Sequence, residues 1–250
     1  MDRCGTMDAL TSAAASGLRA RMESLDMLAN NLANAETGAY KIDREFYSLY
    51  SSREAGGNDP VTLPVIERHW TDFSQGTIRP TGNPLDFALS GKGFFRVDGP
   101  HGPLYTRQGA FRISQAGMLV TGDGYPVGLA GGGSVKSQSG APLEVAADGT
   151  ISQQGQSLGK LDVVSFENAA VLAKQGNNYF VAADSAAGSP QPAAGVEVQQ
   201  GKLESSNVGT AESAVRLVGV MRQFEMLHKA MSIGAEMNKK AVEEVARVGA

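Results

Sequence analysis

Residues 217–248 read LVGVMRQFEMLHKAMSIGAEMNKKAVEEVARV, without a proline. Leu217, Val220, Phe224, Leu227, Met231, Gly234, Asn238, Ala241, Val245 and Val248 fall on alternating three- and four-residue steps. That is a heptad seam kept over four repeats, and it predicts one long helix over 209–248, roughly 55–60 Å in length. Ser205, Ser206 and Asn207 can cap its approach. Glu212 in the first turn, and Lys239, Lys240 and Arg247 toward the end, suit the helix dipole. A core-facing helix also carries such a stripe. The length of this one, and Asn238 at a core-type position, favour assembly, because a buried amide is best attested where register must be fixed.

The other end of the chain repeats the theme. Residues 7–34 predict a helix of roughly 40 Å, with Thr6 or Asp8 as cap, a seam at Leu18, Leu25, Leu28 and Leu32, and a stop at Thr37-Gly38. Met7 opens this pattern better than Met1, so residues 1–6 are expected to be dispensable. Asn30, Asn31 and Asn34 crowd its last turns, although asparagine is a mediocre helix former. Either they fray the helix toward its stop, or their amides bond to a neighbouring backbone or helix end.

Between the seams the chain reads as strand. Ile42–Tyr50 suits a short helix, 51–59 a linker, and Val61–Ile66 an edge strand broken by Pro64. From 83 to 200 short apolar runs alternate with turns. Phe94-Phe95-Arg96-Val97 meets Leu104-Tyr105-Thr106 across Asp98-Gly99. Val163–Phe166 and Asn178–Val181 are late strands, and 184–195 is a loop. Turn signals every ten residues or so predict an antiparallel sandwich or barrel.

Composition narrows the function. The chain has 250 residues, 42% of them apolar and 19% charged, with 31 glycines and a net charge of -4. No basic stripe matches a phosphate backbone, which argues against nucleic-acid binding. The single cysteine, Cys4, rules out an intrachain disulfide. No run of roughly 18 apolar residues appears, nor a cleavable signal peptide. The three histidines, His69, His101 and His228, stand at no metal-ligand spacing. GLAGGGSV at 128–135 lacks the Gly-Lys-Ser/Thr of a phosphate loop and reads as a flexible connection. No cofactor, metal or small-molecule substrate is expected, and no enzymatic activity.

Several segments resemble the bacterial flagellar rod and hook protein family. Leu28-Ala29-Asn30-Asn31-Leu32-Ala33-Asn34, followed by Thr37 and Tyr40-Lys41, is similar to its N-terminal signature, with Ala39 where the family usually has glycine. Thr71–Gly76, Thr81–Asp86, Gly91–Phe95, Tyr105–Phe111, Gly117–Val120 and Gly124–Val127 resemble its central segment. Gly201–Val208 and Arg222-Gln223-Phe224-Glu225 resemble its C-terminal signature. The size and the short 51–69 linker look most like the proximal rod branch, ahead of the distal rod and the longer hook proteins.

The resemblance implies an α+β chain whose long terminal helices pack as a coiled-coil-like pair, with a central antiparallel β-rich domain. The expected division is 7–40 and 205–250 as an inner-tube assembly domain, 41–82 as linker and 83–204 as outer domain. It implies a structural subunit that polymerises helically to transmit torque. The expected partners are copies of itself, other rod and hook subunits and the flagellar type III export apparatus. The expected place is the periplasm-spanning rod, reached without a cleaved signal. The expected assembly interface comprises Leu18, Leu25, Leu28, Asn30, Asn31, Leu32, Asn34, Leu217, Val220, Phe224, Leu227, Met231 and Asn238. A secreted β-sandwich binding module with helical stalks is the competing class.

Overall fold

The computed structural model describes residues 4–52, 61–137, 141–169, 172–182 and 189–248. The predicted linker at 51–59 and loop at 184–195 lie partly outside these residues. The chain divides into two compact units. One comprises Met1–Ala33, Asp43–Trp70 and Gly209–Ala250; the other comprises Asn34–Ile42 and Thr71–Val208.

The first unit holds helix α1 (Cys4–Ala33), strands β1 (Asp43–Ser52) and β2 (Val61–Thr71, whose last residue belongs to the second unit), and helix α2 (Thr210–Val248). β1 and β2 form a two-stranded sheet of their own. The short helix expected over Ile42–Tyr50 is therefore a strand. Its sequence, DREFYSLYSS, is rich in aromatic and hydroxyl residues that suit a pleated strand. The pairing partner that decides the matter lies beyond any local window. Pro64 sits inside β2, a position an edge strand tolerates.

The terminal helices do not form the expected coiled-coil-like pair. The described residues contain two helices, the N-terminal one the shorter, and a strand-rich remainder. α1 and α2 touch, but a coiled coil seats every seam side chain in a hole between four residues of the facing helix. Along α2, Phe224, Leu227, Met231 and Asn238 are only half-buried, and Gly234 and Ala241 are exposed. A seam left this open is not seated in holes.

The second unit is built from short antiparallel pairings. Its largest sheet has six strands: β5 (Phe94–Gly99), β6 (Gly102–Thr106), β12 (Val163–Ser165), β13 (Leu172–Lys174), β14 (Tyr179–Ala182) and β15 (Gln191–Pro192), in the order β13-β14-β6-β5-β12-β15. Two-stranded ribbons pair β3 (Ile78–Pro80) with β17 (Lys202–Glu204), β4 (Phe87–Ser90) with β16 (Glu197–Gln200), and β7 (Arg112–Ile113) with β8 (Leu119–Val120). β9 (Glu144–Val145), β10 (Thr150–Gln153) and β11 (Gln156–Lys160) make a three-stranded sheet.

The Phe94-Phe95 doublet shows how the core is organised. Successive side chains on a strand point to opposite faces. Phe95 joins Phe87, Leu89, Val97, Phe111 and Leu119 in the main cluster. Phe94 joins Tyr105, Val164, Leu172 and Phe180 in a second. The six-stranded sheet is thus covered on both faces, and two consecutive apolar residues are used where a one-sided sheet would use one.

Candidate assembly interface

At the end of α1 the polar residues turn inward. Asn31 is fully buried. Its Nδ2 donates to the Asp43 carbonyl at 2.8 Å, and its Oδ1 accepts from the Asp43 N–H at 3.0 Å. The amide thus imitates a strand partner for the first residue of β1. Two turns earlier on the same helix, Ser24 Oγ donates to Glu45 Oε1 at 2.8 Å, and Arg216 of α2 donates to the same oxygen at 2.9 Å. Leu28 is only 2% exposed. Leu18, Leu25, Leu32 and Asn34 are half-buried, and Asn30 is exposed. Asn34 accepts from the backbone N–H and the hydroxyl of Thr37, closing the turn after the helix.

On α2 the predicted seam is only partly covered by the chain itself. Val220 is buried, and Leu217, Phe224, Leu227, Met231 and Asn238 are half-buried. The bare apolar surface is elsewhere. Val215 is 74% exposed, Met226 65%, Met237 61% and Val242 70%, with Ile233 also exposed. Met226 and Ile233 each follow a seam position, Phe224 and Met231, by two residues, about 200° round a helix of 3.6 residues per turn. Reading for the single strongest heptad seam passed over this second stripe. The spacing Val215, Met226, Ile233, Met237 was its available signal.

In the second unit, the segments that carry the two terminal signatures converge. Asn207 Oδ1 accepts from the Ile42 N–H at 2.8 Å, and its Nδ2 donates to the carbonyls of Asp72 at 2.8 Å and Ser74 at 3.1 Å. Beside it, Lys41 Nζ lies 2.6 Å from Glu204 Oε1, and Arg107 Nη1 lies 3.3 Å from Glu204 Oε2. All three side chains are buried. Burial pulls the Lys41 ammonium below the ordinary lysine range, against the opposing attraction of Glu204. Sequence reading quoted Lys41, Arg107, Glu204 and Asn207 only as pieces of motifs. Nothing in a one-dimensional pattern pairs residues so far apart.

Among the described residues no group of three His, Cys, Asp or Glu side chains is placed to hold a metal ion, and no helix is long and apolar enough to cross a membrane. The polar side chains described above hold backbone and one another.

Two family models match. "Flagellar hook protein FlgE/F/G D1 domain" covers residues 88–156, and "Flagellar basal body rod FlgEFG protein C-terminal" covers 199–244. These matches fall on the strand body and on the approach to and length of α2, and they define a flagellar axial protein of the hook and rod class. A flagellar basal-body rod protein FlgF from Caulobacter vibrioides is 33% identical over 228 residues, spanning 90% of this chain and 92% of that relative. FlgG proteins from Buchnera aphidicola and Bacillus subtilis are 33% and 31% identical, each spanning 95% of the relative and 90% and 91% of this chain. The chain belongs to the flagellar basal-body rod protein family.

Proposed function

We propose that this chain is a structural subunit of the bacterial flagellar basal-body rod. It assembles with copies of itself and with other rod and hook subunits, transmits torque, and catalyses no reaction. The observation that carries the reading is the bare stripe of α2. Val215, Met226, Ile233 and Met237 stand exposed on one face of the helix, where apolar side chains gain from a partner that covers them. Contacts that repeat head to tail without closing would build a filament from such a surface. In this reading the half-buried predicted seam positions on the other side of α2, Leu217, Phe224, Leu227, Met231 and Asn238, and the exposed Asn30 of α1 serve as secondary contacts. Export through the flagellar type III apparatus to a periplasm-spanning position accompanies this reading.

The alignment lengths support the proximal branch. The FlgF alignment spans 228 residues and the Buchnera FlgG alignment 250, for the same 90% of this chain. The difference, 250 minus 228, is 22 residues of extra alignment that the FlgG relative needs.

The test is the double substitution Met226→Asp and Ile233→Asp in the full chain. It is expected to leave the helical circular dichroism intact while abolishing swimming and rod completion in electron micrographs of basal bodies. Normal rods and wild-type swimming would sink the proposal. Leu28→Asp is a poorer probe, because Leu28 is buried within the chain and its loss would disturb the subunit itself.

A further inference from the structure

After α1 the chain enters the second unit at Asn34, and it leaves that unit at Val208, before α2. The entering and leaving segments lie side by side. The Ala39 N–H donates to the Glu204 carbonyl at 2.8 Å, the Asn207 N–H to the Tyr40 carbonyl at 3.2 Å, and the Ile42 N–H to Asn207 Oδ1 at 2.8 Å. The partner numbers rise together, so the two segments run in the same direction.

Side chains and a third segment lock this pairing. Lys41 Nζ lies 2.6 Å from Glu204 Oε1 and donates to the Ser74 carbonyl at 2.7 Å. The Asp72 N–H donates to the Ile42 carbonyl at 2.9 Å, and Asn207 Nδ2 donates to the carbonyls of Asp72 and Ser74. Lys174 Nζ donates to the Lys41 carbonyl at 2.7 Å and stands 4.4 Å from the centre of the Tyr40 ring. Ala39, Tyr40, Lys41 and Glu204 are all buried, so water has little access to a bond that begins to stretch.

Direction decides what this arrangement does under tension. A pull carried by the two helices reaches residues 34–42 from their N-terminal end and residues 204–208 from their C-terminal end. In segments that run the same way these are opposite ends, and the pull slides one segment along the other. Bonds loaded in shear share the force and fail together, whereas bonds at the end of a hairpin fail one at a time. While the pairing holds, the chain between Lys41 and Glu204 is spared the tension.

We propose that residues 39–42 and 204–207 form a shear clamp that keeps the strand body folded when the chain is pulled through its terminal helices. The clamp rests on the reading of the chain as a rod subunit held by its helices, which is where such a pull arises.

Optical tweezers that hold the isolated full-length chain by its two termini test the clamp, and with no rod present a failure here leaves the rod reading standing. Once the helices yield, the wild type is expected to release the 163 positions that separate Lys41 from Glu204 in one step, roughly 550 Å of chain. Forced unfolding follows the unfolding rate. Asn207→Ala removes a side chain bonded to both other segments, so at fixed force it should speed that step by about tenfold or more. Tyr179→Phe, which loses hydrogen bonds to Thr121 and Asp123 away from the clamp, should speed it by less than about threefold. A short first step that frees 34–42 and 204–208 before the strand body opens would overturn the clamp. So would equal acceleration by the two variants, since that is how general destabilisation behaves. Should Asn207→Ala fail to fold, the wild-type step size decides the question.

Discussion

Asn31 and Asp43, twelve positions apart, are bonded twice: the amide Nδ2 donates to the Asp43 carbonyl at 2.8 Å and Oδ1 accepts the Asp43 N–H at 3.0 Å. One side chain ties the end of α1 to the first residue of β1. Asn31→Ala would leave a partly buried donor and acceptor without that partner. The expected loss is about 2–3 kcal/mol, measured as a lower urea midpoint of the full chain. Asn31→Asp keeps the acceptor but places a carboxylate against the Asp43 carbonyl, so it should not restore the wild-type midpoint.

Gly76 is fixed by close packing of backbone on backbone. A Cβ there would run into the carbonyl of Ser205, which is main chain and cannot swing aside. Gly76→Ala must push apart the segments that carry Gly76 and Ser205, and with them the Gly76 N–H bond to Glu204. The expected cost is about 3 kcal/mol, read from thermal unfolding. A wild-type melting temperature would show that the approach is looser than described.

Ala39 occupies the left-handed region at φ +56 and is 1% exposed. An L-residue there costs about 1–2 kcal/mol. Glycine would remove that cost but add chain entropy and lose a buried methyl, so Ala39→Gly should stay within about 1 kcal/mol of the wild type. Ala39→Val, β-branched, should cost about 2 kcal/mol or more. The pair of variants, compared by chemical denaturation, checks the backbone conformation directly.

The buried tyrosines set an alkaline limit. Burial raises the Tyr179 phenol well above its ordinary value near 10, with the carboxylate of Asp123 at 2.8 Å adding to the shift and Thr121 opposing it. Burial likewise raises Tyr105, which Arg96 opposes. Below pH of about 10 both the folded and unfolded chains keep these protons, and the contribution is fully present. Above it the unfolded chain releases them first, so stability falls as pH rises. Tyr179→Phe should be weaker at neutral pH, through its lost hydrogen bonds, yet lose less than the wild type between about pH 9 and pH 11. An unchanged loss over that range would rule out Tyr179 as a source.

Some of this was legible in the chain. The 3.6-residue period marked both helices to within a few residues of Cys4–Ala33 and Thr210–Val248, because a helix is a local structure and its apolar face is written at fixed spacing. Asp98-Gly99 signalled the β5–β6 hairpin for the same reason, although the turn itself falls on Pro100-His101 and Asp98 and Gly99 pair with Pro103 and Gly102. The asparagine cluster was read as either fraying or bonding to a neighbouring backbone. Asn31 does the latter, and the backbone belongs to the same chain. The Ile42–Tyr50 segment went the other way, since its pairing with β2 outweighs a weak helical period.

By itself the sequence determined where the two terminal helices run and, through three separated signatures, the family. Tertiary structure decided which helix faces stay bare, that the terminal helices make no coiled-coil-like pair, and that Lys41, Arg107 and Glu204 share one buried site. The reason is range. Periodicity and turn chemistry act over a few residues and leave a local trace. The Lys41–Glu204 bridge joins positions 163 apart in the chain, so it exists only once the fold has closed the distance.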